Sequence, residues 1–222
     1  MFTGIIEDIG EVLEIKKDGD KIFYISTKIN YQNLKIGSSI SCNGICLTII
    51  KKGKKNKKNW FAISASRETL SKSNLNITKI GSLLNLETSL KVGDELSGHL
   101  VFGHIDGKLK LIKKKKVGSS KLLIFNIPSN LRNYIAPKGS ISINGVSLTI
   151  NNVSKNIFDV NIIPHTLKGT NFDKIKIGEL LKKIMKVTIK NIGDNTINKI
   201  IVIQISNNLR IKLITIIIKH NF

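Results

Sequence analysis

Several kinds of residue are scarce in this sequence of 222 residues. Aromatic residues make up 5% of the chain, so its hydrophobic cores must come mainly from Ile, Leu and Val within an apolar content of 41%. β-Branched residues favour strands over helices. Cys42 and Cys46 are the two cysteines, too few for a disulfide framework. They would also supply two ligands where a structural zinc ion needs four, so we expect no metal site.

Long apolar segments are missing as well. No apolar run approaches the roughly 18 residues that span a membrane, and Met1 is not followed by the charged and then apolar stretch of a secretory leader. We therefore expect a cytoplasmic protein in a reducing compartment, without a membrane partner.

Acidic residues are few. The 36 lysines and arginines exceed the 15 aspartates and glutamates, which gives a net charge of +21. Such a charge is compatible with nucleic-acid binding, or with the Lys-, Ile- and Asn-rich composition that an AT-rich genome encodes. The basic runs Lys51–Lys58 and Lys113–Lys116 are predicted to be solvated loops, and no stacking aromatics alternate with them. We favour the compositional explanation and expect no nucleic-acid partner.

An internal repeat organises the chain. The segment from Ser39 to Ile49 recurs from Ser140 to Ile150, with eight of eleven positions identical. Two shorter matches occur at nearly the same offset, Glu68-Thr-Leu70 with His165-Thr-Leu167 and Gly4-Ile-Ile-Glu7 with Gly103-His-Ile-Asp106. Three ordered matches indicate two copies of one module, and a period this long means duplicated domains.

Each module is predicted to be all-β. Short strand-like runs are separated by turn residues, and Asn43-Gly44 and Asn144-Gly145 are strong tight-turn pairs. About six short strands per module favour a closed barrel, since closure removes exposed edges. Short helices are predicted at Thr69–Leu75 and Ser129–Ala136. The predicted domains are 1–97, 98–181 and a basic tail at 182–222.

Five motifs in order resemble one family, riboflavin synthase. They are Met1-Phe-Thr-Gly-Ile-Ile-Glu7, Asn43-Gly-Ile-Cys-Leu-Thr48, Gly98-His-Leu-Val-Phe-Gly-His-Ile-Asp-Gly107, Asn144-Gly-Val-Ser-Leu-Thr149 and Ile163-Pro-His-Thr-Leu167. The resemblance implies two tandem six-stranded Greek-key β-barrels and a homotrimer held partly by a C-terminal helix. Active sites would form where the first barrel of one subunit faces the second barrel of its neighbour.

The resemblance also implies a reaction. Two molecules of 6,7-dimethyl-8-ribityllumazine dismutate by transfer of a four-carbon unit, which gives riboflavin and 5-amino-6-(ribitylamino)uracil. Two related barrels would bind two identical rings, and no metal or redox cofactor is required. Lumazine synthase is a further candidate partner.

The resemblance places substrate-binding residues in matching stretches of both repeats. They are Gly4, Ile5, Ile6, Cys46, Leu47, Thr48, Ser64, Ala65, Ser66, Arg67, Glu68, Thr69, Gly103, His104, Ile105, Lys138, Ser147, Leu148, Thr149, Asn161, Ile162, Ile163, Pro164, His165 and Thr166.

Within that set, the residues that could carry chemistry are few. Cys46 and Ser147 are equivalent, and either contact the ring or only fill a barrel. His104 is the preferred group for proton transfer, with His99 second, because the histidine pKa suits acid–base work. Thr69 and Thr166 offer hydroxyls to the ribityl chain, and both could also cap helices.

The resemblance ends near residue 181. The family continues with an Asn-Ile-Glu-x-Asp-like strand and an amphipathic helix, whereas this chain reads Leu181-Lys-Lys-Ile-Met-Lys186 without an acid. Asn144 also stands where many relatives carry aspartate. A non-catalytic lumazine- or flavin-binding protein of the same fold is therefore the alternative to an active enzyme.

Overall fold

The computed structural model describes residues 1–178, 180–184, 199–204 and 212–217. This part of the chain is mostly β, with two short α-helices, as the composition predicted. Within it, no helix is long and apolar enough to cross a membrane.

The first six strands form a closed barrel. In order around the barrel they run β1-β2-β5-β4-β3-β6, with every neighbouring pair antiparallel. Asn43 and Gly44 form the turn between β3 and β4, with φ of 50° and 79°. The strands are β1 (Asp8–Asp18), β2 (Asp20–Thr27), β3 (Ser39–Cys42), β4 (Ile45–Lys55), β5 (Lys58–Ala65) and β6 (Leu83–Thr88).

The next six strands repeat the arrangement. Their order around the second closed barrel is β10-β11-β8-β7-β12-β9, and Asn144-Gly145 forms the turn that matches Asn43-Gly44. The predicted pair of six-stranded barrels is confirmed. These strands are β7 (Gly107–Val117), β8 (Ser120–Asn126), β9 (Ser140–Ile143), β10 (Val146–Ser154), β11 (Ile157–Ile162) and β12 (Leu180–Ile184).

Alternation along each strand fills the barrels. In β4, the side chains of Ile45, Leu47 and Ile49 are buried in the first core, while Thr48 is exposed. β10 repeats this pattern with Val146, Leu148 and Ile150 in the second core. Successive strand residues point to opposite faces, so the residues between them lie outside the barrels.

Most residues of the basic runs lie in strands, so the prediction of loops was wrong except at Asn56 and Lys57, which form the turn between β4 and β5. Lys51–Lys55 continues β4, and Lys113–Lys116 lies in β7. Two of these lysines have structural partners: Lys52 Nζ donates to the Leu34 carbonyl at 2.5 Å and Lys114 Nζ to the Asp173 carbonyl at 3.1 Å. They therefore tie long hairpins to neighbouring turns.

The helices are shorter than predicted. The first region contains α1 (Arg67–Lys72), followed by a 3₁₀ turn at Asn74–Asn76. The second predicted helix is a 3₁₀ turn at Ser129–Tyr134. α2 (Pro164–Gly169) repeats α1 in the second module and is followed by a 3₁₀ turn at Asn171–Asp173; the remaining 3₁₀ turn described is Tyr31–Asn33.

In the described part of the tail, β13 (Lys199–Gln204) and β14 (Lys212–Ile217) form an antiparallel pair. The family position of the trimerisation helix falls partly outside the described residues.

The segments that precede the two barrels, residues 1–7 before β1 and 98–106 before β7, are named the leading segments. Each of them reaches the other barrel. Phe2 and Val101 form an antiparallel bridge, with N–H to carbonyl distances of 2.8 and 2.9 Å. Beyond this bridge each segment reaches the other barrel, since Ile6 packs on the second core and Ile105 on the first. Each leading segment therefore covers part of the outer surface of the other barrel.

Candidate functional site

Two equivalent sites lie where the leading segments meet the opposite barrels. In the first, named the Cys46 site, the Cys46 N–H donates to the Gly103 carbonyl at 3.1 Å. In the second, named the Ser147 site, the Ser147 N–H donates to the Gly4 carbonyl at 2.8 Å. The structure thus brings predicted residues from both modules together at each site.

Glycine is required at both positions where a leading segment contacts the opposite barrel. Gly4 and Gly103 have φ of +80° and +79°, a region that residues with a Cβ rarely adopt. A Cβ on Gly4 would lie 2.8 Å from the Cβ of Ser147, and one on Gly103 would lie 2.4 Å from the Cβ of Cys46. Either substitution would push the leading segment away from its strand.

Strand alternation divides the predicted residues into two groups. Cys46 and Ser147 are half-buried on the outer faces of the barrels, and Thr48 and Thr149 beside them are exposed. Leu47 and Leu148 belong to the cores. A ligand outside the barrels would meet the polar residues through side chains and the leucines only through their backbone.

Two loops with short helices hold the remaining predicted residues. In the first, Ser66 is the N-cap of α1 and accepts the Thr69 N–H at 3.2 Å. In the second, Ile163 precedes α2 without a side-chain cap. The alternative that Thr69 and Thr166 cap these helices is therefore wrong. The two hydroxyls stay candidates for ligand contacts; that of Thr69 lies 3.1 Å from the hydroxyl of Ser66.

Exposure differs along these loops and the leading segment. Ile5 is 46% exposed and Ile163 is 53% exposed. Arg67, Glu68, Pro164 and His165 are exposed too, whereas Ala65 and Ile162 are buried in the barrels. Ser64 is half-buried, with its hydroxyl 3.5 Å from an Asp20 carboxylate oxygen, and Asn161 is exposed.

His99 contacts the catalytic candidate Ser147. Its Nδ1 lies 2.7 Å from the Ser147 hydroxyl oxygen. Burial lowers the pKa of His99 to about 4, so the imidazole is neutral at pH 7. Its Nε2 is buried without a hydrogen-bond partner. A neutral imidazole bonded to a hydroxyl can act as a proton acceptor.

His104, the preferred histidine of the sequence analysis, has different surroundings. It is exposed and follows Gly103 in the leading segment that contacts Cys46. The geometry thus pairs Ser147 with His99.

Lys138 lies in a turn that the repeat duplicates. Its N–H donates to the Ile150 carbonyl at 2.7 Å, and the Gly37 N–H donates to the Ile49 carbonyl at 2.8 Å. Lys138 is exposed and has φ of +64°, whereas glycine occupies the same left-handed conformation in the first module at φ +85°. The lysine is therefore not required by the turn itself.

Glu87 was missed by sequence reasoning. This residue of β6 is 4% exposed, and its Oε1 accepts the Thr3 N–H at 2.6 Å and the Thr3 hydroxyl at 2.8 Å. Burial raises the pKa of Glu87, while the bonds from Thr3 and Gly4 oppose the shift. The available signal was an acid within the apolar run Leu83–Glu87.

Cys42 and Cys46 differ in environment. Cys42 is fully buried in the first core, and this burial raises the pKa of its thiol. Cys46 is half-buried at its site. Among the described residues, no group of three or more His, Cys, Asp or Glu side chains could hold a metal ion.

A cavity of about 430 Å³ lies away from both sites. It opens between the barrels near the turns after α1 and α2, and none of the predicted site residues lines it. The residues that line it include the asparagines Asn43, Asn74, Asn144 and Asn171. It belongs to the barrel interface rather than to the predicted ligand sites.

Comparison with known proteins agrees with this duplicated architecture. The lumazine binding domain family matches twice, at residues 3–89 and 102–182. The fold also superimposes on two solved structures of LumP, complexed with 6,7-dimethyl-8-(1'-D-ribityl) lumazine (TM-score 0.71, 21% identity) and with riboflavin (TM-score 0.73, 23% identity). Each comparison covers 84% of this chain and all of LumP. The protein is therefore built from two lumazine binding domains.

Curated relatives identify the family within that class. Riboflavin synthase of Brucella abortus (strain 2308) is 39% identical over 181 residues, which are 81% of this chain and 90% of that protein. Riboflavin synthase of Buchnera aphidicola subsp. Schizaphis graminum is 40% identical over 82% of this chain and 86% of its own length. Riboflavin synthase of Bacillus subtilis is 33% identical over 80% of this chain and 81% of its own length. The chain belongs to the riboflavin synthase family, whose members are transferases of riboflavin biosynthesis.

Proposed function

We propose that this protein converts two molecules of 6,7-dimethyl-8-ribityllumazine into riboflavin and 5-amino-6-(ribitylamino)uracil. The observation that carries the proposal is the equivalence of the Cys46 and Ser147 sites. Each site combines a residue on the outer face of one barrel with a glycine in the leading segment of the other module. Two equivalent sites suit a reaction whose two substrates are identical. LumP, which shares the fold, is complexed with the same lumazine.

Positioning would supply much of the catalysis. Holding two rings face to face makes a bimolecular step effectively unimolecular, which can remove roughly 7–11 kcal/mol from a barrier. The four-carbon unit then leaves one lumazine and joins the other, so the carbon atoms balance between the two products. The reaction has no net oxidation and needs no redox cofactor.

We assign the proton-accepting role to the His99–Ser147 pair. The C7 methyl group of the lumazine is acidic, and its deprotonation gives a nucleophilic exomethylene anion. The assignment rests on geometry, because Nδ1 of His99 lies 2.7 Å from the Ser147 hydroxyl oxygen and can receive that proton through the hydroxyl. The lowered pKa of His99 makes it a weak base, so the proton would leave the imidazole readily. His104 and Lys138 are exposed and remain candidates for contacts with the substrate.

The exposed apolar side chains support an assembly in which another subunit covers each site. Ile5 and Ile163 offer apolar surface beside polar groups, which is typical of an interface or a ligand groove. We propose a homotrimer in the cytoplasm, with the first barrel of one subunit facing the second barrel of its neighbour. Lumazine synthase would deliver the substrate.

The reaction is tested with the purified full chain and 6,7-dimethyl-8-ribityllumazine, by following riboflavin absorbance and identifying both products by chromatography. We expect one riboflavin for every two lumazines consumed. The matched variants Cys46→Ala and Ser147→Ala should retain the fold and lose activity, the latter by about 100-fold. Absence of riboflavin at high protein concentration would refute the proposed activity.

A non-catalytic lumazine- or flavin-binding protein is the second candidate. The observation in its favour is β12, whose residues Leu180–Ile184 include no acid. This candidate predicts saturable binding of the lumazine without product. Turnover in the same preparation would exclude it.

A further inference from the structure

The outer face of the first barrel carries an aromatic pair. The rings of Tyr24 on β2 and Trp60 on β5 have centroids 5.7 Å apart, and Lys16 Nζ lies 5.4 Å from the centre of the Tyr24 ring. Phe23 and Phe61, their neighbours in sequence, are buried in the first core, so strand alternation places the pair outside the barrel. Both residues of the pair are half-buried, and the pair therefore offers a partly exposed aromatic surface.

Gly53 on β4 determines where the Trp60 ring lies. The two residues are paired across β4 and β5, and a Cβ on Gly53 would lie 2.8 Å from a ring carbon of Trp60. The ring thus lies directly over the glycine, an arrangement that supports a strand glycine and holds the aromatic side chain in place. A ring that is already held in place loses little entropy when a ligand stacks on it.

Three lysines surround the ring. Lys51 and Lys55 are diagonal neighbours of Trp60, because each lies two residues from Gly53 on β4. Lys58 lies two residues before Trp60 on the same face of β5. All three are exposed, and in the part of the chain that the structure describes none of them takes part in an ion pair. The aromatic pair and these three lysines are named the Trp60 face, and their charge is available to an anionic partner.

The β4–β5 hairpin brings together residues that the linear sequence keeps apart. Along the chain no aromatic residue interrupts the run Lys51–Lys58, which was the reason to expect no nucleic-acid partner. The turn at Asn56 and Lys57 folds β5 back along β4 and places Trp60 beside the middle of that run. Lysines around an aromatic ring are the combination that binds single-stranded nucleic acids, since lysines contact phosphates and bases stack on the ring.

The second barrel has the matching face without aromatic residues. Ile124 and Ile157 occupy the positions of Tyr24 and Trp60, as the strand pairings show. Asp159 pairs with Ile124 on this face and adds a carboxylate. One chain thus contains the same barrel surface with and without a stacking platform.

We propose that the Trp60 face binds single-stranded nucleic acid, with a base stacked on Trp60 and phosphates on the three lysines. The proposal is independent of the proposed function, because the Trp60 face contains none of the candidate site residues. The net charge of +21 attracts a polyanion to the whole protein, and stacking selects this face. Stacking without contacts to base edges gives little sequence preference.

Trp60 reports binding directly, because it is the single tryptophan of the chain. We expect an oligouridylate of about 12 nucleotides, within the roughly 4–16 that one small barrel covers, to quench its fluorescence. With a phosphate on each lysine, the logarithm of the binding constant should fall against the logarithm of the salt concentration with a slope of about −2. A polyglutamate of equal charge has no bases and should not quench Trp60.

Trp60→Ile tests the stacking, because the second barrel has isoleucine at the equivalent position. We expect the affinity for a fluorescein-labelled oligouridylate, measured by anisotropy, to fall about tenfold. Trp60→Phe retains a ring and should recover most of that loss. Lys55→Gln should leave the quenching at saturation unchanged and make the salt slope shallower by about 0.7.

Lys115→Gln is the matched control. Lys115 is exposed on β7 and occupies the position of Lys16, so the change removes the same charge from the face without aromatic residues. It should alter the affinity by less than about twofold. The proposal is overturned if oligouridylate does not quench Trp60 at low salt, or if Lys115→Gln weakens binding as much as Lys55→Gln. Equal affinity for polyglutamate would also overturn it, since the lysines would then act only as a diffuse positive field.

Discussion

At the scale of single residues, the chemistry depends on burial that sequence motifs do not reveal. His99 and His104 occur in the same motif, yet His99 is 7% exposed and His104 is exposed. Burial disfavours the charged imidazolium, so the pKa of His99 falls to about 4. The neutral form required of a proton acceptor therefore persists well below pH 6.5.

This difference gives a prediction for stability against pH. In the unfolded chain His99 binds its proton near pH 6.5, and in the folded protein only near pH 4, so its contribution to stability is present above pH 6.5 and is lost as pH falls toward 4. We expect the wild-type protein to lose roughly 3 kcal/mol more unfolding free energy across this window than His99→Gln. Urea unfolding at several pH values measures both slopes, and parallel slopes would contradict a lowered pKa of His99.

Lys138 gives a second prediction at this scale. Its left-handed backbone costs roughly 1 kcal/mol for a residue with a Cβ, and glycine takes the same conformation at position 37. Lys138→Gly should therefore raise the free energy of unfolding by up to about 1 kcal/mol while weakening substrate binding. Thermal unfolding and the Michaelis constant measure the two effects. An unchanged Michaelis constant would show that the lysine does not contact the substrate.

At the scale of secondary-structure elements, an amide cluster joins the barrels on one side. Asn171, which follows α2, donates to the Asn43 side-chain oxygen at 2.9 Å and accepts from the Asn85 amide at 3.1 Å. Its equivalent in the first module is Asn74, whose Oδ1 is buried without a partner. In the register of β12, Lys182 occupies the position equivalent to Asn85.

The equivalent pair of asparagines provides a matched test. Asn171→Ala leaves the Asn43 oxygen and the Asn85 amide with fewer partners, and we expect a loss of about 3 kcal/mol in unfolding free energy. Asn74→Ala removes an oxygen that already lacks a partner and should cost less than about 1 kcal/mol. Chemical denaturation of both variants measures the difference. Equal losses would show that the cluster does not hold the barrels together.

Most strands could be predicted from local patterns, but β1, β7 and β12 could not. Asn-Gly turns and alternating apolar residues predicted β3, β4, β9 and β10. β1 and β7 were not predicted, because alternation of apolar and polar residues ends early in both and a run of charged residues follows, at Lys16–Asp18 and Lys113–Lys116. Lysines on the outer face of the β7–β8 hairpin made β7 harder still to predict.

At the scale of the whole molecule, both candidate sites depend on the exchange of leading segments between the modules. Gly4 and Ser147 lie far apart in the sequence, and neither residue type predicts the other. The bridge between Phe2 and Val101 is the point where the segments cross, and both side chains are almost fully buried there. The homotrimer stays a prediction of the resemblance.

The sequence by itself determined the duplication, the all-β class and the stretches that contain the candidate site, because repeats, turn pairs and strand alternation are local properties. Only the tertiary structure decided which histidine contacts Ser147, which glycine completes which site and that Glu87 anchors one of them. These contacts join residues of different modules, and burial determines their chemistry. Neither long-range contact nor burial is visible in the local pattern of residues.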